Sequence, residues 1–114
     1  MTLTNGIFSF PSAGFYKITA TAGVEADGVD VSMRVDIRTS TDNFSSGDDA
    51  ARTYFFQTAA NQFSSGTTIH IFDVTDITTH KIKFTVDGST GATVLGITSN
   101  TPQTKIMFER LGDT

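Results

Sequence analysis

Apolar and polar residues alternate along most of the chain, and this period of two predicts β-strands. A long strand is predicted after Gly14, because one of its faces carries Tyr16, Ile18, Ala20, Ala22 and Val24. A short aromatic run at 7–10 precedes it and stops at Pro11, since proline cannot donate a hydrogen bond to a neighbouring strand. Further strands are predicted at 29–37, 52–59, 67–75, 81–87, 92–98 and 104–111, with turns rich in glycine, asparagine and aspartate between them. We expect about eight strands and no helix.

The segment 29–37 alternates without a break and predicts a long central strand. Its apolar face is expected to carry Val29, Val31, Met33, Val35 and Ile37, and its polar face Asp30, Ser32, Arg34, Asp36 and Arg38. The charged row is interpreted as a solvated sheet face with cross-strand ion pairs. The alternative is a subunit interface in which opposite charges fix the register between chains.

Three polar segments, 39–51, 60–66 and 87–91, are predicted to be loops. The first is the longest, and its Asp42, Asn43, Asp48 and Asp49 could supply oxygen ligands to calcium. Their spacing matches no calcium-binding loop, so we interpret them as solvated carboxylates and predict no cofactor. If the protein binds a ligand, we expect the contacts in the loops at 42–49, 61–65 and 87–91. The candidate ligand-binding residues are Asp42, Asn43, Asp48, Asp49 and Asn61.

Composition favours one all-β domain over residues 1–114. Ten phenylalanines supply apolar area for a core, and the absence of cysteine excludes disulfides and thiolate chemistry. The net charge of −4 comes without a cluster of basic residues, which argues against a nucleic-acid partner. No apolar run approaches the roughly 20 residues that a membrane-spanning helix needs, so no membrane insertion is expected.

Residues that could catalyse a reaction are few. His70 lies in a predicted strand and His80 in a turn, and two histidines at this separation give weak support for zinc, which needs three or four ligands. Asp73 and Asp76 could flank a glycosidic bond, but we expect them to cap the turn between two strands by accepting backbone hydrogen bonds. We predict that the protein is not an enzyme, and a carbohydrate-active enzyme is the least favoured of three functions.

The segments at 8–18, 31–37, 71–84 and 104–112 together carry a family resemblance. The chain resembles the globular-head domain of complement component 1q and its relatives in the tumour necrosis factor superfamily, above all in Phe8-Ser-Phe-Pro-Ser-Ala-Gly-Phe-Tyr. Family members generally have a strand ahead of this motif, whereas only Met1 to Asn5 precede it here. We therefore expect the chain to be the C-terminal part of a longer protein, with the missing sheet edge absent or supplied by another subunit.

The resemblance implies a two-sheet antiparallel jelly roll that assembles as a homotrimer. The threonine-rich, cysteine-free chain and its Arg110-Leu-Gly-Asp ending look like versions found in phage structural proteins. The favoured function is therefore a trimeric virion module, at a fibre tip or similar position, that is structural or recognises a host-surface protein or glycan. The alternative is an extracellular, complement-like adhesion or signalling module that binds protein or glycan.

Surplus aromatic residues indicate where the subunits would meet. Tyr54 and Phe56 share one face of a predicted strand and Phe55 occupies the other, so one face is expected to be covered from outside the domain. The predicted trimer contacts are Tyr54, Phe56, Phe63 and Phe108, with Arg34, Asp36 and Arg38 as polar partners.

Overall fold

The chain folds into an all-β, two-sheet antiparallel sandwich. The structure is a computed structural model and describes residues 1–46, 48–88, 91–98 and 101–114. Within them no helix occurs, and so none is long and apolar enough to cross a membrane. The strands are β1 (Thr2–Thr4), β2 (Ile7–Ser9), β3 (Gly14–Ala26), β4 (Asp30–Ser40), β5 (Asp48–Gln57), β6 (Gln62–Val74), β7 (Lys81–Asp87), β8 (Thr93–Leu95), β9 (Ile97–Thr98), β10 (Thr101–Pro102) and β11 (Lys105–Gly112).

Two sheets face each other, and each is antiparallel throughout. One, the five-stranded sheet, has the order β1-β2-β7-β4-β5. The other, the four-stranded sheet, has the order β11-β3-β6, with β8 also paired to β3, while β9 and β10 form a separate two-stranded ribbon. This order of strands establishes a sandwich of five and four strands, and it does not by itself establish the winding of a jelly roll.

The core lies between the sheets and consists of Phe10 and inward-facing residues of β3, β4, β5, β6 and β7. The alternation predicted for β3 is confirmed, because Tyr16, Ile18, Ala20, Ala22 and Val24 are all buried. One end of the core is aromatic: the ring of Phe108 contacts the rings of Phe8, Phe10 and Phe84 at centroid distances of 5.2 to 6.3 Å. Rings at such distances and inclined to one another pack more favourably than stacked sandwiches.

A short hairpin precedes the aromatic-proline motif, so the expectation that the sheet edge beside Ile7–Phe10 is absent or comes from another subunit is wrong. Strand β1 pairs with β2 in the register Thr2↔Ser9, Leu3↔Phe8 and Thr4↔Ile7. The turn uses Asn5 and Gly6, both with positive φ, at 51° and 77°. An Asn-Gly pair in this conformation is the commonest two-residue hairpin turn, and the sequence contained that signal.

The faces predicted for the start of β4 are also wrong. Val29 and Val31 are 58% and 76% exposed, whereas Asp30, which was expected on the polar face, is only 1% exposed. The register shifts between the pairs Asp30↔Gln57 and Met33↔Phe55, so two residues of β4 stand opposite one residue of β5. This β-bulge reverses the facing of every residue before it. From Met33 onward the predicted faces are confirmed.

Two predicted loops are shorter than expected. Strand β4 continues to Ser40 and β5 begins at Asp48, so the described residues of 39–51 that lie outside strands are 41–46. Thr39 pairs with Asp48 and Arg38 with Asp49, and this pairing holds these polar residues in the extended conformation of a strand. Likewise β6 begins at Gln62, which leaves only residues 58–61 as the turn after β5.

Candidate functional site

The charged row of β4 forms a network on the outer face of the five-stranded sheet. The Asp36 carboxylate accepts hydrogen bonds from Arg52 Nε at 2.5 Å and Arg52 Nη2 at 3.2 Å, and another from Thr85 Oγ1 at 3.1 Å. Arg34 Nε lies 3.3 Å from the same carboxylate, near enough for an ion pair but not aligned as a hydrogen bond. The cross-strand ion pairs expected from the sequence are therefore present within one chain.

The network extends to two further aspartates. Arg34 Nη2 lies 3.1 Å from Asp87, while Asp49 contacts Arg38 Nε at 2.9 Å and Arg52 Nη2 at 2.6 Å. Three arginines and three aspartates thus balance one another on this face. Arg34, Asp36 and Arg38 were predicted to be polar partners in a trimer, and in the single chain their charges are already paired.

Asp36 is 2% exposed although it lies on the outer face, because the arginine side chains cover it. Burial raises the pKa of its carboxyl group, but the hydrogen bonds from Arg52 and Thr85 and the charges of Arg52 and Arg34 outweigh burial and hold the pKa below its usual value. Asp36 is therefore a structural anion at neutral pH and has no proton to give.

Exposed aromatic residues lie on β5 and β6, the edge strands of the two sheets on one lateral side of the sandwich. Tyr54 and Phe56 are on the outer face of the five-stranded sheet, and Phe63 is on the outer face of the four-stranded sheet. Tyr54, Phe56 and Phe63 are 61%, 64% and 71% exposed, so the described part of the chain leaves most of each side chain open, although the Arg52 guanidinium lies 5.9 Å from the centre of the Tyr54 ring. The two edges are held together by a hydrogen bond from Thr53 Oγ1 to Thr67 O at 2.8 Å and another from Ser64 Oγ to Phe56 O at 3.0 Å. We call this set, Tyr54, Phe56 and Phe63, the β5/β6 flank.

The fourth predicted trimer contact, Phe108, lies elsewhere. It belongs to β11 on the opposite lateral side and packs, partly buried, within the aromatic end of its own core. On the same lateral side, β1 and β11 carry further exposed apolar side chains that the sequence pattern did not single out: Leu3 and Ile106 on the inward faces of their sheets, Met107 on the outer face, and Leu111 at the end of β11. The only signal for them was the apolar residues on both faces of 104–111.

The described part of the β4–β5 loop, residues 41–46, is organised by its own hydrogen bonds. The Asp42 carboxylate accepts from Ser40 Oγ at 2.6 Å and from Ser46 Oγ at 2.7 Å, and these bonds, Ser40 first, lower its pKa. Ser40 Oγ in turn accepts from the backbone N–H of Asp42 and of Phe44. Asn43 and Phe44 both have positive φ, and the Lys83 ammonium lies 4.4 Å from the centre of the Phe44 ring. Asp42 therefore shapes the loop, and its oxygens are occupied.

The predicted ligand-binding loops do not form one site. The pairs Ser40↔Lys81 and Gly14↔Val74 place residues 41–46 at one end of the sandwich, where Asn43 N–H donates to Thr79 O at 3.0 Å. The pair Ala26↔Gln62 places Asn61 at the other end. Asp49 is engaged with two arginines, and the side chain of Asp48 lies outside what the structure describes, as do Gly47, Ser89 and Thr90.

The histidines lie near each other around Phe72. His80 stacks on the Phe72 ring at 5.6 Å, and the His70 ring is 6.2 Å from it on the same strand. Burial lowers the pKa of His70, so the ring is neutral at physiological pH. Among the described residues no three histidine, cysteine or acidic side chains are grouped so that they could hold a metal ion.

Asp76 caps the turn between β6 and β7, as expected. Its Oδ1 accepts from the backbone N–H and the hydroxyl of Thr78, at 2.8 and 2.6 Å, and these bonds lower its pKa. Asp73 lies instead within β6, opposite Phe15 of β3. The expected capping role is confirmed for Asp76 and is wrong for Asp73.

Comparison with known proteins gives no relative from which a role could be transferred. No family model matches the chain, and neither a curated protein nor a solved structure matches it. The fold itself agrees with the resemblance to complement component 1q and tumour necrosis factor domains in being an all-β, two-sheet antiparallel sandwich.

Proposed function

We propose that the protein is a non-enzymatic module of a virion that works as a homotrimer, at a fibre tip or a similar position, as a structural element or in recognition of a host-surface protein or glycan. The jelly-roll winding implied by the family resemblance belongs to the same proposal. The observation that carries the proposal is the β5/β6 flank, because three aromatic side chains on the edge strands are each more than 60% exposed.

The exposed area explains why this flank favours association. An aromatic side chain has about 150–250 Å² of surface, so three of them at these exposures present roughly 400 Å² of mostly apolar area. Tyr54 and Phe56, which share the outer face of β5, supply about two thirds of this area, and exposed aromatic side chains of this kind commonly mark interaction sites. At about 25 cal/mol per Å², covering it contributes roughly 10 kcal/mol before the entropic cost of association, which is of similar size.

Sedimentation velocity at micromolar concentration tests the proposal. We expect a species of three times the chain mass of 12.2 kDa, and we expect Phe56→Ser to shift it towards the monomer. The matched control is Ile77→Ser, because Ile77 is also an exposed apolar residue, at 41%, but lies in the β6–β7 turn. A wild-type protein that sediments as a monomer at this concentration contradicts the proposed trimer.

The virion assignment has its own test. We expect antibodies raised against the domain to label assembled virus particles by immuno-electron microscopy, at a fixed position on each particle. Purified particles that lack the protein would contradict this assignment while leaving the trimer untouched.

A further inference from the structure

A groove of about 300 Å³ lies on the outer face of the four-stranded sheet. Its floor is formed by Thr21 and Gly23 of β3 together with Ser65 of β6, and the pair Gly23↔Ser65 places the last two side by side. The ring of Phe63, which is 71% exposed, lines one wall. A volume of this size is at the small end of ligand sites, so the groove has room for one small ring and not for a large molecule.

The wall beside Gly23 is built by the segment 102–104. A side-chain carbon at Gly23 would lie 2.9 Å from the carbonyl oxygen of Gln103, so a glycine is needed for this segment to come so close. Thr104 Oγ1 accepts from the N–H of Gly23 at 3.0 Å and donates to its carbonyl oxygen at 3.4 Å. The N–H of Gln103 donates to Gly96 O at 2.9 Å. The fold itself therefore holds this wall in place, as in a preformed ligand site.

The floor offers hydroxyl groups with hydrogen-bonding capacity to spare. Thr21 Oγ1 and Thr67 Oγ1 lie 2.8 Å apart. Because each hydroxyl donates once and accepts twice, this pair keeps one proton and several acceptor positions for another molecule. The Ser65 hydroxyl forms no hydrogen bond with the described residues. A polar floor next to an aromatic wall suits a ligand that has both hydroxyl groups and an apolar face.

The charge of the groove comes from Lys105. Among the described residues that line the groove it alone is charged, and it forms no ion pair within the described part of the chain. Lys105 stands opposite Thr21, whereas Phe63 stands opposite Glu25, and these two positions of β3 are roughly 13 Å apart. A carboxylate in the groove is thus attracted to the Lys105 end and repelled from the Glu25 end, which gives a small acid one favoured direction.

A second depression, of about 350 Å³, lies above the charged network of β4 and lacks this combination. It is lined by three arginines and three aspartates, which already pair with one another, and its described lining contains no aromatic ring. It therefore offers a ligand neither a net charge nor an apolar face.

We propose that the groove on the four-stranded sheet binds one carboxylated pyranose of a glycan, a sialic or uronic acid, with its ring against Phe63 and its carboxylate at Lys105. A pyranose has a face of C–H groups, which packs on an aromatic ring, and a rim of hydroxyls, which the floor can bind. The bond between ammonium and carboxylate is charge-assisted and so stronger than one between neutral groups. The inference rests on the recognition role in the proposed function, and it assigns Phe63 to the ligand, which leaves Tyr54 and Phe56 for the subunit contact.

Titration of the isotope-labelled protein, followed in amide NMR spectra, tests the inference. The test compounds are the methyl glycosides of N-acetylneuraminic acid and of glucuronic acid. Methyl galactoside, a neutral ring, and N-acetyl-aspartate, an acid without a ring, are the controls. We expect saturable shifts of the Gly23, Ser65 and Lys105 amides with at least one acidic glycoside, and binding at least tenfold weaker for both controls. The inference is overturned if neither acidic glycoside shifts these amides at about 20 mM, or if a control binds as tightly.

Two variants test the assigned roles. Lys105→Gln and Phe63→Ser are each expected to weaken binding of the acidic glycoside roughly fivefold to tenfold. The matched controls are Lys17→Gln and Phe15→Ser, because both residues lie on the same outer face of β3 but outside the groove, and we expect them to bind as the wild type does. The amide spectra also show whether each variant folds, and Phe63→Leu replaces Phe63→Ser if the latter does not. Groove variants that bind as tightly as the wild type overturn the inference.

Sedimentation of the same samples separates this inference from the proposed trimer. A wild-type protein that is monomeric but binds the acidic glycoside contradicts the trimer and supports the groove. A trimer that binds neither acidic glycoside contradicts the groove alone.

Discussion

Gln57 connects the β3–β4 turn to the β5–β6 turn, and replacing it gives the sharpest test of the packing. The side chain is 2% exposed. Its Oε1 accepts from the N–H of Ala26 at 3.1 Å, and its Nε2 lies 2.8, 3.0 and 2.9 Å from the carbonyl oxygens of Ala26, Gly28 and Ala59. One amide therefore satisfies backbone groups of two turns.

Gln57→Leu keeps most of the volume and removes every one of these bonds. The carbonyl oxygen of Ala26 keeps a partner, the N–H of Asn61 at 2.9 Å, but the Ala26 N–H and the other two carbonyls lose theirs. A buried polar group without a partner costs about 1–3 kcal/mol. We expect the free energy of unfolding to fall by about 2–4 kcal/mol, which is a large share of the stability of a typical domain.

Urea unfolding followed by far-UV circular dichroism, at one fixed protein concentration, measures the loss as a lower midpoint at unchanged slope. The matched control is Gln62→Leu, because Gln62 is exposed and accepts only in the β5–β6 turn, from the N–H groups of Thr58 and Ala59. We expect the control to cost about 1 kcal/mol or less. If Gln57→Leu costs no more than Gln62→Leu, the amide does not hold the two turns.

Gln57→Glu separates hydrogen bonding from volume. A carboxylate can accept from Ala26 but has no N–H to donate to the neighbouring carbonyl oxygens, and Asp30 stands opposite on the neighbouring strand. The pKa of the introduced carboxyl group is therefore expected to rise, so its cost should be largest at neutral pH and shrink as the pH falls and the group is protonated. A cost that does not change between pH 7 and pH 4 would contradict this account.

Three further changes test other parts of the structure. Asp36→Asn should lower the free energy of unfolding by about 3 kcal/mol at neutral pH, since the amide cannot neutralise Arg52. The folded-state pKa of Asp36 is lowered, so its contribution to stability is complete above the unfolded pKa near 3.9 and is lost as the pH falls. The free energy of unfolding of the variant, measured by urea titration, should therefore fall less steeply at acid pH than that of the wild type. Gly14→Ala should cost about 2 kcal/mol or more in the same assay, because φ is 142° and the added carbon meets a backbone carbonyl oxygen, whereas Gly6→Ala, with open space around it, should cost only its strain of about 1 kcal/mol. Tyr16→Phe removes the hydroxyl that donates to the carbonyl oxygen of Ser12 at 3.0 Å, and it should lower the free energy of unfolding by about 1 kcal/mol. The loss should appear as a lower thermal midpoint, and an unchanged midpoint would show that the bond contributes nothing to stability.

The sequence predicts the strands well wherever alternation and burial agree. In β7 the expected inward residue Ile82 is fully buried, and Lys81 and Lys83 lie on the other face. Prediction fails where a neighbouring strand decides the outcome. The polar stretch from Asp48 is extended because it pairs with Thr39, and no local signal records that partner.

The candidate site was harder to predict, because the alternation of apolar and polar residues does not show which side chains another part of the chain covers. A bulge in β4 turns Val31 outward, opposite Phe56, and a pattern with a strict period of two conceals such a shift. The aromatic surplus drew attention to Tyr54 and Phe56, which are 61% and 64% exposed. It did not reveal Leu3, whose exposure depends on the width of the facing sheet.

The pairing of β11 with β3 has a consequence for the order of folding. Ile106 lies opposite Ala20 and Phe108 opposite Ile18, so the last strand of the chain completes a sheet that one of the first strands begins. Closing so long a loop costs entropy before any contact is gained, and topologies of this kind fold slowly. During synthesis on the ribosome, the edge of β3 from Phe15 to Thr21 stays without its partner until β11 has been made. An unpaired strand edge can pair with other chains, so we expect the nascent chain to be most prone to aggregation during that interval.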